Sequence, residues 1–172
     1  MAIIARYESI NTPLKIDITT GDIITPDAIR YAFHSNFENK KIEVWAYNVE
    51  TILAEKVETI LRRSVLNTRP RDFYDVYIIM KTQQQAVNKN IFSAALKATS
   101  DKRMSFMALQ EKEKILLTIQ SYPIMRQRWD HYRKENYYAN GIEFDEVIGI
   151  LFEITNCMTS IRLIYFRKLL MI

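Results

Sequence analysis

The stretch Val49-Glu50-Thr51-Ile52-Leu53-Ala54-Glu55-Lys56-Val57-Glu58-Thr59-Ile60-Leu61-Arg62-Arg63 is where the chain changes period. Val49, Ile52, Leu53, Val57, Ile60 and Leu61 recur at the spacing of one helix face, which predicts a helix over residues 49–63. The same period predicts helices near residues 70–81, 89–99, 103–119, 122–138 and 143–165. Turn signals separate them at Asn67-Thr68-Arg69-Pro70, Asn88, Ser100-Asp101, Ser121-Tyr122-Pro123 and Asn140-Gly141. A helical bundle is expected over residues 49–172.

Ahead of Val49 the period is two. Leu14-Lys15-Ile16-Asp17-Ile18 puts Leu14, Ile16 and Ile18 on one face and Lys15 and Asp17 on the other, as in a half-buried strand. Gly21-Asp22 stops it and Pro26 opens the next turn. Residues 3–9 and Ile42-Glu43-Val44-Trp45-Ala46-Tyr47 read as two more strands, with a short helical turn over residues 27–34. The expected class is α+β: a small sheet in residues 1–48, then a helical lobe in residues 49–172.

Composition narrows the function. Hydrophobic residues at 48% and charged residues at 26% place the chain among folded proteins, away from the disordered corner. Three glycines and four prolines are too few for turn-dense barrels, a glycine-rich phosphate loop or a flexible linker. The single cysteine, Cys157, excludes an internal disulfide and a cysteine-clustered zinc site and suits a reducing compartment, so the cytoplasm is expected. No signal-peptide pattern opens the chain. Arg162, Arg167 and Lys168 interrupt the apolar residues 161–172, short of the roughly 18–20 residues of a membrane span.

Residues 1–48 hold five bases and six acids, leaving nineteen bases and fourteen acids in the remainder, so the positive charge sits in the helical part. Such a surplus suits a polyanion or simply solvated helix faces.

Three positions stand out chemically. Lys56 falls on the apolar stripe of its helix, where either its stem packs while the ammonium reaches water, or the cation is held toward an anion such as phosphate. Arg71-Asp72-Phe73-Tyr74-Asp75 places Arg71 and Asp75 one turn apart beside Asp72. That is either a surface pair behind a helix start or a nucleotide-binding group. Asp17, between two strand isoleucines, is either solvent-facing or a rigid Mg²⁺ ligand. His34 and His131 lack metal-site or triad spacing. Trp129, His131, Tyr132, Tyr137 and Tyr138 read as core and helix-packing residues rather than a stacking platform.

Three blocks resemble the AbiEii/AbiGii toxin family of nucleotidyltransferases, in order and spacing. They are Leu14-Lys15-Ile16-Asp17-Ile18, the helix through Lys56, and Asn67-Thr68-Arg69-Pro70-Arg71-Asp72-Phe73-Tyr74-Asp75-Val76-Tyr77; the weaker Asn140-Gly141-Ile142-Glu143-Phe144 is similar too. The resemblance implies a nucleotidyltransferase core with Asp17 as its third metal carboxylate. It also implies Lys56 facing nucleotide phosphates, with Arg71, Asp72 and Asp75 as the later Arg-Asp-x-x-Asp motif. The implied reaction moves a nucleoside monophosphate from a triphosphate to an acceptor, an RNA end such as tRNA, with Mg²⁺. A cognate antitoxin and a role in phage defence follow from the same likeness.

One departure is large. None of Gly21, Gly141 and Gly149 precedes a serine, and no Asp-x-Asp occurs, so the family's first motif is missing and the active site is incomplete in this chain. The chain is therefore expected to be a member shortened at its N-terminus, active in full-length form. The alternative is a non-catalytic helical module that binds an antitoxin, RNA or a separate N-terminal fragment. The family reading requires Asp17, Lys56, Arg71, Asp72 and Asp75 to converge on one cleft, and an incomplete sheet is expected to self-associate.

Overall fold

The computed structural model describes residues 2–16, 18, 20–36 and 39–156. Asp17, Cys157 and residues 158–172 therefore lie outside the described residues. Two antiparallel hairpins come first: β1 (Ala2–Tyr7) with β2 (Ile10–Lys15), and β3 (Ile29–His34) with β4 (Lys41–Ala46). Glu8 and Ser9 make the first turn, Glu8 taking positive φ.

Register sorts the side chains. Ile3, Ala5 and Tyr7 face the same side as Leu14, Thr12 and Ile10, their direct partners. Ile29, Tyr31 and Phe33 likewise share a face with Ala46, Val44 and Ile42. On the opposite face the Arg30 guanidinium lies 4.3 Å from the Trp45 ring centroid.

These hairpins correct four expectations. Residues 29–34 form a strand in place of a helical turn, because Ile29, Tyr31 and Phe33 alternate in step with β4. The second strand spans 10–15 rather than 14–18, because the tight turn at Glu8-Ser9 pairs β1 with the residues that follow at once. Its apolar side is also open: Leu14 and Ile16 are exposed, and Ile18 is 68% exposed. Among the described residues there are two two-stranded sheets, not one.

Seven α-helices follow among the described residues: α1 (Val49–Arg63), α2 (Pro70–Gln83), α3 (Lys89–Lys102), α4 (Phe106–Gln110), α5 (Lys112–Ser121), α6 (Pro123–Glu135) and α7 (Phe144–Asn156). Asn48 caps α1 by accepting from the Thr51 N–H at 2.8 Å, with Glu50 in the first turn and Arg62 and Arg63 in the last. Pro70 begins α2 where no intrahelical N–H is needed. The expected helix over 103–119 is broken between α4 and α5 at Glu111, and α6 stops at Glu135, leaving a 3₁₀ turn at Tyr137–Ala139.

Among the described residues the core lies in the helical part. α1 packs on α2 and α3, and α7 packs on α2 and α5. Leu53, Val57, Ile60, Phe73, Phe92, Leu96, Trp129, Val147 and Leu151 are essentially buried, which supplies most of the hydrophobic stabilisation. The Phe144 ring sits 6.1 Å from Phe73 and 6.3 Å from Trp129. Trp129 meets the packing expectation, its indole N–H donating to the Ile142 carbonyl at 2.9 Å. His131 and Tyr137 do not: both stand in solvent at the outer end of α6 and the turn beyond it.

The loop ahead of α1 is tied to the bundle by side chains. The Asn48 amide donates to the Thr25 carbonyl at 2.7 Å, and the Thr51 hydroxyl both accepts from the Thr25 N–H and donates to its carbonyl. Tyr47 donates to Asp22 at 3.0 Å, and Lys102 reaches Asp22 and the Gly21 carbonyl.

Candidate functional site

Lys56 meets a partner rather than water alone. Lys56 stands on α1 three residues after Leu53 and one before Val57, and its ammonium lies 2.9 Å from Asp72 Oδ1 and 2.8 Å from Asp75 Oδ2. Both acids come from the first two turns of α2. The approach of that helix is fixed by the loop before it. Arg128 donates to the Val65 and Asn67 carbonyls, both at 2.9 Å, and the Asn67 side chain accepts from the Arg69 N–H at 2.8 Å.

Burial is uneven across the group. The Asp72 side chain is 8% exposed, Asp75 is 23% exposed and Arg71 is 79% exposed. Arg71 Nε stands 3.9 Å from Asp75 Oδ1, a loose pair in open solvent. Asp72 Oδ2 is buried and has no hydrogen-bond partner. A buried carboxylate oxygen left in that state normally costs free energy.

Burial pulls the Lys56 pKa down, but hydrogen bonds to Asp75 and Asp72 outweigh it and hold the amine above its ordinary value of 10.5. The side chain is an ammonium at neutral pH. With two of its three protons directed at carboxylates, one donor remains for an incoming anion, and Arg71 offers a second positive charge one helical turn from Asp75.

Lys56, Asp72 and Asp75 thus come together, with Arg71 at the exposed edge of the group. Asp17 lies outside the described residues, so convergence is seen for Lys56, Asp72 and Asp75. Divalent metal does not fit the described cluster. Both carboxylates already have Lys56 as counter-ion, and among the described residues no group of three metal-ligating side chains exists.

Neighbours that spacing did not single out surround the cluster. Burial raises the Glu55 carboxyl, with Arg103 opposing and Asp22 adding to the rise. Arg103 also holds the buried Glu58 at 2.5 Å, together with Arg62 and Ser105 at 2.8 Å each, so this second network braces α1 against the α3–α4 corner. No regular spacing links Glu58 to Arg103, 45 residues away. Also on α2, Tyr74 meets Tyr138 at 4.9 Å and Tyr132 at 6.2 Å between ring centroids. Tyr74 could have been flagged, since it stands inside the Arg-Asp-x-x-Asp block.

The family model described as nucleotidyl transferase AbiEii toxin, type IV TA system, matches residues 2–149. No curated protein and no solved structure matches the chain.

Proposed function

We propose a nucleotide-handling role on the premise that this chain belongs to the AbiEii family of nucleotidyl transferase toxins of type IV toxin–antitoxin systems. Lys56 and Arg71 bind the phosphates of a nucleoside triphosphate, while Asp72 and Asp75 hold the Lys56 ammonium in place. The observation that carries this reading is the Lys56 ammonium held at 2.9 and 2.8 Å by two carboxylates, one of them buried with an oxygen left over. A lysine serving only to cover apolar surface has no use for a second, buried acid.

The reaction this supports is transfer of a nucleoside monophosphate to an acceptor hydroxyl, for which an RNA end such as that of tRNA is the proposed source. The acceptor oxygen attacks the α-phosphorus, the bond from that phosphorus to the bridging oxygen breaks, pyrophosphate leaves and the hydroxyl proton is released. Lys56 and Arg71 contribute by orienting the triphosphate and offsetting charge on the leaving group. Mg²⁺ is general to nucleotidyltransferases, and its carboxylates are assigned to residues other than Asp72 and Asp75, with Asp17 proposed among them. Gly-Ser and Asp-x-Asp do not occur in this sequence, so the cluster by itself is a binding site and not a complete catalytic centre.

A cognate antitoxin is the partner that the family implies. No helix among the described residues is long and apolar enough to cross a membrane. The cytoplasm is the proposed location, and phage defence the proposed setting. A second reading, a non-catalytic module that binds an antitoxin, RNA or a separate polypeptide, is favoured by the open apolar faces of both hairpins.

Titration calorimetry with each triphosphate tests the first reading. The wild-type chain is expected to bind, and Lys56→Met to weaken binding at least tenfold, about 1.4 kcal/mol. A wild-type protein that binds no triphosphate overturns it. Incubation with Mg²⁺, labelled triphosphates and tRNA is expected to give no labelled product from this chain alone; protein-dependent labelling would mean that the residues present complete a catalytic centre.

A further inference from the structure

The ring contacts beside the cluster form one continuous aromatic corner. Tyr132 on α6 is backed by buried Trp129 at 5.6 Å and meets Tyr74 at 6.2 Å and Tyr138 at 6.4 Å. Tyr137 stands 5.6 Å from Tyr138 with its plane turned by 73°, so the two rings make an L. This end is open, Tyr138 being 45% and Tyr137 90% exposed. Isolated exposed aromatics are ordinary, but rings set edge to face on a buried tryptophan form a shaped surface.

The corner is held rigidly. The Tyr132 and Tyr138 hydroxyls lie 3.2 Å apart, Tyr138 donates to Asn136 Oδ1 at 2.8 Å, and the Asn136 amide donates to the Tyr132 carbonyl at 2.8 Å. Those hydroxyls are engaged with each other and with Asn136, and the exposed part of the corner is made by Tyr138 and Tyr137. The corner also adjoins the phosphate-binding group, since Tyr74 is flanked in α2 by Phe73 and by Asp75, which touches Lys56. Asp75 and Arg71 both act on Tyr132 through space, and the net effect of burial and neighbours keeps its phenol well above the ordinary range, hence neutral beside a polyphosphate.

We propose that the corner of Tyr138 and Tyr137, supported by Tyr74 and Tyr132, stacks the base of the nucleoside triphosphate whose phosphates Lys56 and Arg71 hold. This rests on the phosphate assignment above. The occupant is a base because a planar ring with π-faces matches an L of two rings, and because the adjoining Lys56 and Arg71 are the cations assigned above to the phosphates of the same molecule. Recognition by ring face depends on stacking area and not on hydrogen-bonding edges, so all four triphosphates bind, with purines ahead of pyrimidines.

Binding of ATP and of inorganic tripolyphosphate to the whole chain separates the two assignments. Wild type is expected to bind ATP about tenfold more tightly than tripolyphosphate, the scale of one stacked base. Tyr138→Phe should keep that gap, and Tyr137→Leu combined with Tyr138→Leu should close it with tripolyphosphate affinity unchanged, thermal unfolding confirming that each variant is folded. A gap that survives the double change overturns the stacking proposal and leaves the phosphate site intact. Failure of tripolyphosphate and ATP alike to bind wild type overturns the phosphate assignment, and this proposal falls with it. A 5′-hydroxyl oligoribonucleotide whose binding drops in the double variant, while ATP binding does not, would assign the corner to the acceptor and overturn it too.

Discussion

The helices and the hairpins use the same kind of amphipathic pattern and end differently. In α1 the stripe of Leu53, Val57 and Ile60 is fully buried, whereas in β3 and β4 the face of Ile29, Tyr31, Phe33, Ile42 and Val44 is exposed throughout. A periodic apolar face says which side of an element favours burial, and only the surrounding elements decide whether it is covered. The consequence is a molecule whose cohesion is concentrated in the helices, where Lys56, Asp72 and Asp75 also reside.

The sharpest way to break this contrast is to remove the same side chain from each region. Phe73→Ala, at a buried ring in contact with Phe144, is expected to cost about 3–5 kcal/mol in urea denaturation. Phe33→Ala, in an open hairpin, should change stability by less than about 0.5 kcal/mol. Equal losses would mean that the hairpin face is covered in solution.

Association is the next largest effect. The open hairpin faces are expected to bring two copies together, and Phe33→Lys should weaken that contact at least tenfold, about 1.4 kcal/mol, seen as a fall in mass by light scattering. A monomeric wild type whose β3 and β4 amides are protected in hydrogen exchange would count against it.

Asp72 tests the site itself. Asp72→Ala removes a bond to Lys56 and also a buried oxygen with no partner, and these effects oppose each other. Stability should move by about 1 kcal/mol or less while triphosphate binding falls tenfold. A large loss of stability with binding intact would mark Asp72 as a structural residue.

Much of this was legible in the residues, for reasons that differ by element. The limits of α1 could be read because a stripe begins at Val49 and ends in Arg62 and Arg63. The strand at Ile29–His34 was obscured because its alternation is short and follows a proline turn, and only pairing with Lys41–Ala46 reveals it. The break at Glu111 carries no glycine or proline, so a continuous helix was the natural reading. At the site, Arg71, Asp72 and Asp75 announced themselves by spacing, but their meeting with Lys56 depends on how α1 and α2 pack. Tyr132 and Tyr138 lie some sixty residues from Tyr74, a contact that no local pattern encodes.

The smallest handle is a titrating bond inside the helical part. Tyr77 on α2 donates to Glu146 Oε1 on α7 at 2.8 Å, and Lys81 lies 3.2 Å from the same oxygen. Tyr77 first and Lys81 second hold the Glu146 carboxyl below its ordinary value of 4.5. A carboxyl lowered on folding contributes stability that is present above pH 4.5 and is lost as pH falls through the folded value. Glu146 is 43% exposed, so solvent screening limits the contribution to below about 1 kcal/mol. Burial first, then the bond to Glu146, raises the Tyr77 phenol above 10.0, so its share is full below pH 10 and is lost as pH rises through the folded value. Glu146→Gln keeps an acceptor for Tyr77 but removes the charge. Its urea midpoint at pH 7 should fall only slightly, and the wild-type advantage should vanish as the medium is taken below pH 4.5. An advantage that persists undiminished in that window would show that the bond between α2 and α7 does not depend on the carboxylate charge.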